Sequence, residues 1–295
     1  MRPPPFTYGL ENDLRYRYEQ AHIVTQLPRV MVLLDDFQPE VIINFAALCE
    51  VGLSWLHAAD YYETNVIALV RLTNELAIRG WFRKFVQIGS SEVYGSVTDA
   101  VDEDYPVNPS SPYAASKAAF DMHLRAIARH QAFRAVIVMP SNGYCEGQTL
   151  NRIIPKTIIA ALTGKRMPLQ GGGVVSKSYL HADDISAAIM LVMEKGSIGE
   201  TYNCGPKSAT TIYSIAAIAA MKAGIPMYKM KENFFDITNE RTGQDSLYLL
   251  NSDKIKALGW KGETVDRDTG FERMVAWVKA NPALLTMDST YTHRP

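Results

Sequence analysis

The sequence lacks the features that define several protein classes. Only three of its 295 residues are cysteine, and Cys49, Cys145 and Cys204 stand far apart. They provide neither a disulfide framework nor a CxxC zinc site. No apolar run approaches the ~20 residues that a membrane-spanning helix needs, and the first residues lack the apolar core of a secretory signal. These absences predict a soluble, cytoplasmic protein with no membrane partner and no metal site.

Neither sign of charge is in excess. Thirty Lys plus Arg residues stand against 31 Asp plus Glu residues, which gives a formal net charge of -1. A chain without a basic excess has no broad surface for nucleic acid, although a local phosphate pocket is compatible with this balance. Hydrophobic residues make up 47% of the chain and charged residues 21%, as in globular proteins with a sizeable core.

Helical patterns alternate with short apolar runs from about residue 29. The segments VIINFAA (41–47), FVQI (85–88) and AVIVMPSN (135–142) begin as strands buried on both faces. Helices are predicted between them at about 61–79 and 111–130, the second opening with a Ser-Pro pair that supplies an N-cap and a first-turn proline. Strands that alternate with helices in this way predict an α/β fold with a parallel sheet.

The glycine-rich turn that usually opens such a sheet is not found. In most of these folds the amides of that turn hold a pyrophosphate at a helix N-terminus. No GxGxxG or GxxGxxG motif occurs before residue 40, where Gly9 is the only glycine. The segment QGGGVV (170–175) follows no clear strand and opens no helix, so it is interpreted as a flexible loop.

The strongest chemical signal is the spacing of Tyr113 and Lys117. Residues four apart lie on one helix face, about a turn from each other. An ammonium beside a phenol favours the phenolate, so Lys117 is expected to lower the pKa of Tyr113 from its ordinary value of about 10. Such a group can take a proton from a hydroxyl while a bound cofactor removes a hydride. Tyr and Lys are common on helix surfaces, however, and the spacing alone is a weak signal.

A family resemblance adds weight to this pair. IGSSEVYG ends a predicted strand, where open α/β sheets place their ligands, and DEDYPVNPSSPYAASK follows after one loop. Together they resemble extended short-chain dehydrogenase/reductases of the NAD-dependent epimerase/dehydratase family, most closely the dTDP-glucose 4,6-dehydratase-like enzymes. QPEVIINFAA, YETNVIAL, YLHADDISAA and ETYNCG also have counterparts in that family, so the likeness runs nearly end to end.

The resemblance implies a Rossmann-type doubly wound parallel sheet and a smaller mixed α/β substrate lobe. We expect residues 1–141 to form an NAD-binding domain and residues 142–295 mainly the substrate lobe, with residues 178–205 returning to the first domain. The chain resembles the family only after its first strand, glycine turn and helix. We therefore expect neighbouring strand edges to be unpaired and the binding of NAD to be weakened.

The resemblance also implies catalytic roles. Tyr113 would be the base at the 4-hydroxyl of a nucleoside-diphosphate sugar, and Lys117 would orient the nicotinamide ribose. Ser90 would position the 4-oxygen, and Glu92 would remove the proton from carbon 5. Ser91 departs from the thymidine-linked enzymes, which carry an acidic residue there. Glu92 would then serve as both base and acid.

The Ser-Ser-Glu triplet leaves other activities open. A nucleotide-sugar epimerase or decarboxylase on the same scaffold shares the tyrosine and lysine, and a truncated inactive pseudoenzyme is a third alternative. Labelled sugars distinguish these alternatives, since only a dehydratase moves the hydrogen of carbon 4 to carbon 6.

Binding residues follow from the same likeness. The expected contacts to NAD are Ala46, Ala47, Asn65, Tyr113, Lys117 and Ser141, and the expected contacts to the sugar nucleotide are Asn142, Arg152, Lys177 and Arg241. Three of the latter are cations, which suit a diphosphate. The family usually dimerises through two helices per subunit, which here are those at 61–79 and 111–130, so a homodimer is expected.

Overall fold

A computed structural model describes residues 15–291 and residue 293. The strands are β1 Val41–Asn44, β2 Lys84–Ile88, β3 Ala135–Pro140, β4 Asn142–Tyr144, β5 Met167–Gln170, β6 Ser176–Lys177, β7 Tyr179–His181, β8 Thr201–Cys204, β9 Thr210–Thr211, β10 Phe235–Thr238 and β11 Leu247–Tyr248. The helices are α1 Leu27–Phe37, α2 Val51–Ser54, α3 Ala58–Tyr62, α4 Ala68–Ala77, α5 Pro112–Gln131, α6 Ile153–Leu162, α7 Ala182–Lys195, α8 Ile212–Lys222, α9 Met227–Lys229, α10 Asp253–Ala257 and α11 Arg267–Ala280.

The main sheet is parallel and has the strand order β1-β2-β3-β8. Side chains alternate between its two faces because successive residues of a strand point in opposite directions. Phe85 and Ile137 pack with α4 and α5 on one face, whereas Val86 and Val136 pack with α7 on the other. Helices on both faces leave the inner strands buried, which explains their continuous apolar sequences. The predicted α/β class with a parallel sheet is confirmed.

Helix α5 carries the Tyr-Lys pair and begins where the sequence predicts. The Ser111 hydroxyl accepts a hydrogen bond from the Ala114 amide (3.2 Å), and Pro112 occupies the first turn. Both features favour a helix start. This start places Tyr113 in the first turn, next to the carboxyl end of β2.

The predicted helix at 61–79 is not one regular helix. It consists of α3, a π-helical segment Glu63–Ile67 and α4. Asn65 lies in the π-helical segment and is fully buried. Such segments are often found at functional sites, since they change the direction of one side chain within a continuous helix.

The later part of the chain has a second core. Helices α6, α8 and α11 pack around apolar side chains that include Ile158, Ile215 and Phe271. Small sheets flank these helices: β10-β5, β11-β6-β9 and β4-β7. Strand β8 pairs with β3 in the main sheet, although the domain boundary at 141/142 stays a prediction. None of the helices in the described part of the chain has the length and apolar character needed to cross a bilayer.

Candidate active site

A cavity of about 820 Å³ lies where the main-sheet strands end. Residues that follow each of three strands reach it: Glu50 after β1, Ser90 after β2 and Ser141 after β3. The carboxyl ends of parallel strands meet at one edge, which is where open α/β sheets bind ligands. Of the sequence-predicted site residues, the cavity is lined by Ser90, Glu92, Tyr113, Ser141, Asn142, Arg152, Lys177 and Arg241.

Tyr113 lies in this cavity wall with only 8% of its surface exposed. Burial raises the pKa of its phenol and the Glu92 carboxylate adds to the rise, while a hydrogen bond with Ser90 opposes it. The expectation that Lys117 lowers this pKa is therefore wrong for the protein alone. Removing the phenolate from water raises its pKa by more than the hydrogen bond with Ser90 lowers it.

Lys117 lies one turn below Tyr113 and is almost fully buried. Its ammonium donates a hydrogen bond to the Ile88 carbonyl at the end of β2 (2.6 Å). Burial lowers the pKa of this amine, and the nearby Asp121 carboxylate opposes that effect. The spacing in the sequence placed Lys117 on the right helix face, but it carried no information on this carbonyl partner.

Ser90, Ser91 and Glu92 form the turn after β2. Ser90 precedes a short 3-10 segment, Ser91–Tyr94, and its hydroxyl accepts a hydrogen bond from the Glu92 amide (3.3 Å). This turn directs Ser90 and Glu92 into the cavity. Ser91 is buried and is not part of the cavity wall.

Four cations line the cavity, namely Arg152, Lys156, Lys177 and Arg241. Lys177 is buried, with its ammonium 4.6 Å from the centre of the Tyr248 ring. Burial lowers its pKa to about 8, Arg241 contributes to the decrease, and Glu92 opposes it. Arg152 pairs with Glu50 (3.6 Å). This grouping creates a positive wall suited to a diphosphate.

The predicted NAD contacts divide into two groups. Ser141 lines the cavity, and its buried hydroxyl has no hydrogen-bond partner among the residues described. Asn65 instead links backbone and helix: its amide donates to the Leu48 carbonyl (3.0 Å) and to the Ser116 hydroxyl (2.9 Å), and its oxygen accepts from the Leu48 amide (2.8 Å). Asn65 therefore holds the loop after β1 against α5 and does not reach the cavity. The predicted contacts Ala46 and Ala47 are half-buried and also lie outside the cavity wall.

Sequence reasoning missed several cavity residues. Tyr179 precedes α7 and is buried against the cavity. Cys49 lies 3.3 Å from the Arg152 guanidinium. Tyr291 reaches the cavity from the C-terminal segment. Tyr179 lies in the family-like segment YLHADDISAA, which could have indicated it, whereas Cys49 and Tyr291 lie outside the family-like segments quoted above.

A parallel α/β sheet with a serine and a Tyr-x3-Lys pair at its carboxyl edge is typical of an extended short-chain dehydrogenase/reductase. The family model "NAD dependent epimerase/dehydratase family" matches residues 14–205. The chain belongs to this family.

Curated relatives and solved structures agree with that assignment. Human dTDP-D-glucose 4,6-dehydratase is 29% identical over 92% of this chain and 77% of its own length. The dTDP-glucose 4,6-dehydratase of Haemophilus influenzae is 30% identical over 92% of this chain and 85% of its own. The Streptomyces venezuelae enzyme of that name, solved with NAD and TYD, has a TM-score of 0.85 and 29% identity, covering 93% of this chain and 83% of that one.

Proposed function

We propose that the protein is a nucleotide-sugar 4,6-dehydratase that uses NAD and acts as a lyase. The observation that carries the proposal is the convergence of Ser90, Glu92 and Tyr113 on one cavity that cations also line. A base, a hydrogen-bond donor, a carboxylate and a diphosphate site are the groups that this reaction needs. Relatives named for this activity are 29 to 30% identical over most of the chain.

The residues around Tyr113 fit the nicotinamide end of NAD. The Ser141 hydroxyl is buried, lacks a partner within the described residues and lines the cavity beside the end of β3. Lys117 and Tyr113 share the adjoining helix face. We assign these three residues to holding the nicotinamide and its ribose. When bound, NAD accepts a hydride from carbon 4 of the sugar and returns it to carbon 6.

Proton transfer falls to the residues of the cavity wall. Tyr113 takes the proton of the 4-hydroxyl, while Ser90 orients the same oxygen. The ketone formed at carbon 4 acidifies carbon 5, and Glu92 removes that proton. Glu92 then protonates the hydroxyl of carbon 6, which leaves as water. The proton taken from the 4-hydroxyl balances the one that returns to carbon 5, so the product is a 4-keto-6-deoxy sugar nucleotide.

The cationic wall binds the rest of the substrate. We assign Lys177, Arg152 and Arg241 to the diphosphate, because their charges line the cavity together. Asn142 follows Ser141 in the chain, also lines the cavity and is assigned to the sugar. The partner class is thus a nucleoside-diphosphate sugar.

The assembly and its location are part of the proposal. Exposed apolar side chains lie on the α4 side and on α5, namely Ile67, Ile78 and Met122. They support a homodimer formed by these helices, since exposed apolar surface of this kind is typical of interfaces. We also propose residues 1–141 and 142–295 as the two functional units, with residues 178–205 assigned to the first, and the cytoplasm as the location.

A labelled substrate tests the activity. The protein is incubated with NAD and, in parallel samples, with dTDP-glucose, UDP-glucose or UDP-glucuronic acid deuterated at carbon 4, and products are analysed by mass spectrometry and NMR. A dehydratase gives a 4-keto-6-deoxy product with deuterium at carbon 6. An epimer without loss of water, release of carbon dioxide from a uronic acid substrate, or no product from any of these sugars would each refute the proposal.

Substitution of Tyr113 tests the assigned base. Tyr113→Phe should lower turnover by at least about 100-fold, because the proton of the 4-hydroxyl then has no acceptor. Tyr144→Phe is the matched control, since the buried Tyr144 hydroxyl makes no hydrogen bond within the described chain. Full turnover in Tyr113→Phe would disprove the role of Tyr113 while leaving the label experiment unaffected.

A further inference from the structure

Asp121 lies directly below the Tyr-Lys pair on helix α5. Tyr113, Lys117 and Asp121 follow one another at intervals of four residues, so they share one face of the helix. Asp121 is 5% exposed, and neither of its carboxylate oxygens has a hydrogen-bond partner of ordinary geometry among the described residues. The carboxylate is therefore enclosed and largely unpaired.

The groups that face Asp121 come from three elements. Lys117 and Arg125 lie on α5 itself, one turn before and one turn after it. The Gln87 amide approaches from β2, and the Tyr94 phenol from the 3-10 segment that follows it. Two cations, one amide and one phenol thus face the anion, and Lys117 is the cation that also belongs to the active site.

The fold leaves little room to relax this arrangement. Gly89 follows β2, and a Cβ atom there would lie 3.0 Å from a carboxylate oxygen of Asp121 and 2.6 Å from the Met139 sulfur. A side chain at position 89 would displace the carboxylate from its position. Absence of a side chain on Gly89 therefore lets Asp121 lie against the end of β2, where the Ile88 carbonyl holds Lys117.

A buried carboxylate with so few hydrogen bonds is costly to the fold. Burial raises the pKa of Asp121 to about 6, even though Lys117 and Arg125 act in the opposite direction. At neutral pH the group is still an anion inside the protein. An apolar or amide side chain of similar size would avoid that cost, and groups held at such a cost are concentrated at functional sites.

We propose that Asp121 is a positioning residue that keeps Lys117 in its cationic form beneath Tyr113. Burial on its own favours the neutral amine of Lys117, and the Asp121 carboxylate is the main charge that opposes this effect. Without the carboxylate, Lys117 loses its proton at lower pH and no longer supplies positive charge next to the phenol. The consequence for Tyr113 rests on the proposed function, whereas the coupling between Asp121 and Lys117 does not.

The coupling is measured without any enzymatic assay. The protein is labelled with [6-13C]lysine, the Lys117 resonance is assigned from its loss in Lys117→Arg, and the pKa of Lys117 is read from a pH titration by NMR. We expect Asp121→Asn to lower that pKa by about one unit or more, as for the loss of a neighbouring opposite charge. Asp184→Asn, which alters a buried aspartate of α7 remote from Lys117, should leave it unchanged. An unchanged pKa of Lys117 in Asp121→Asn would overturn the proposal.

A second measurement needs only the unaltered protein and applies if Asp121→Asn does not fold. With [4-13C]aspartate and [6-13C]lysine in the same sample, the Lys117 resonance should shift with a midpoint near pH 6 as Asp121 titrates. A Lys117 resonance whose chemical shift does not change through the titration of Asp121 would equally overturn the coupling.

In the dehydratase assay, the high-pH limb of the activity profile should move to lower pH in Asp121→Asn and recover in Asp121→Glu. A protein with no turnover would refute the proposed function but leave both NMR results interpretable.

Discussion

Burial determines the ionisation of the three polar side chains along the active face of α5. It raises the pKa of the Tyr113 phenol and the Asp121 carboxyl and lowers that of the Lys117 amine. Each group is pushed toward its neutral form because the interior solvates charge poorly. Opposite charges placed one turn apart offset this effect, so that the three groups act as a coupled set and not as independent acids and bases.

The stability of the fold should depend on pH through Asp121. The folded-state pKa is about 6, above the ~3.9 of an unfolded chain. Below pH 4 the carboxyl is protonated in both states and the full stability is present. As the pH rises through 6, the unfolded chain ionises first, and up to about 3 kcal/mol of unfolding free energy is lost.

Asp121→Asn should remove this loss. Urea denaturation at pH 4, 5, 6 and 7 is the measurement, and we expect the variant to equal or exceed the unaltered protein in unfolding free energy above pH 6. Parallel pH dependence in the two proteins would show that Asp121 has an ordinary pKa.

Lys177 should make the binding of nucleotide diphosphates pH-dependent near neutrality. Its pKa of about 8 means that the ammonium is charged at pH 7 and mostly neutral at pH 9. Calorimetric affinity for dTDP should therefore fall by about tenfold across this range, the loss of one charged contact.

Two variants isolate this effect. Lys177→Met should bind dTDP weakly and lose the part of the pH dependence that Lys177 supplies, whereas Lys177→Arg should stay charged and bind at pH 9 almost as at pH 7. The same pH dependence in Lys177→Met as in the unaltered protein would assign the effect to another group.

At the scale of elements, the start of α5 fixes the active face. The Ser111 hydroxyl caps the helix, so Ser111→Ala should lower the unfolding free energy by about 1 kcal/mol. Ser111→Asp retains a capping oxygen and should lose much less. Urea denaturation of the three proteins tests the cap. An equal loss of unfolding free energy in both variants would show that the Ser111 side chain contributes packing and no capping hydrogen bond.

Elements encoded by local signals were predicted well from the sequence. Ser111-Pro112 marks the start of α5, and the apolar sequences of β1, β2 and β3 mark strands buried on both faces. The pairing of β5 with β10 joins residues nearly seventy positions apart, and no local pattern encodes it. The pKa of Tyr113 escaped prediction for the same reason, because the spacing of a pair on a helix says nothing about how deeply the fold buries it.

The sequence predicted which residues form the candidate site better than it predicted the contacts that these residues make. Ser90, Glu92 and Tyr113 lie in contiguous family-like segments, and the structure brings them to one cavity. Asn65 lies in such a segment too, yet the π-helical geometry turns it toward the Leu48 backbone. A motif therefore fixes which residue is present, and the local backbone decides which way it points.

At the scale of the whole molecule, the cavity depends on segments from both ends of the described chain. Glu50 and Ser90 come from loops of the main sheet, and Tyr291 comes from the segment after α11. His293 holds that segment against the start of α3. Its imidazole contacts the Asp60 carboxylate (2.9 Å) and stacks on His57 with ring centres 4.1 Å apart. This contact lies between the first turn of α3 and the C-terminal segment.

That contact should slow the release of ligands from the cavity. Asp60→Asn removes the charge that holds His293, so Tyr291 should leave the cavity wall more often and a fluorescent dTDP analogue should dissociate about two- to fivefold faster in stopped-flow measurements. The size corresponds to the ~0.5–1 kcal/mol that one such hydrogen bond contributes. Asp35→Asn is the matched control, because it weakens a carboxylate contact elsewhere, with Arg79 on the α1–α4 surface, and should leave dissociation unchanged. A segment that closes the cavity must move before the ligand leaves. Equal dissociation rates in the Asp60 variant and the unaltered protein would therefore show that the C-terminal segment lines the cavity without closing it.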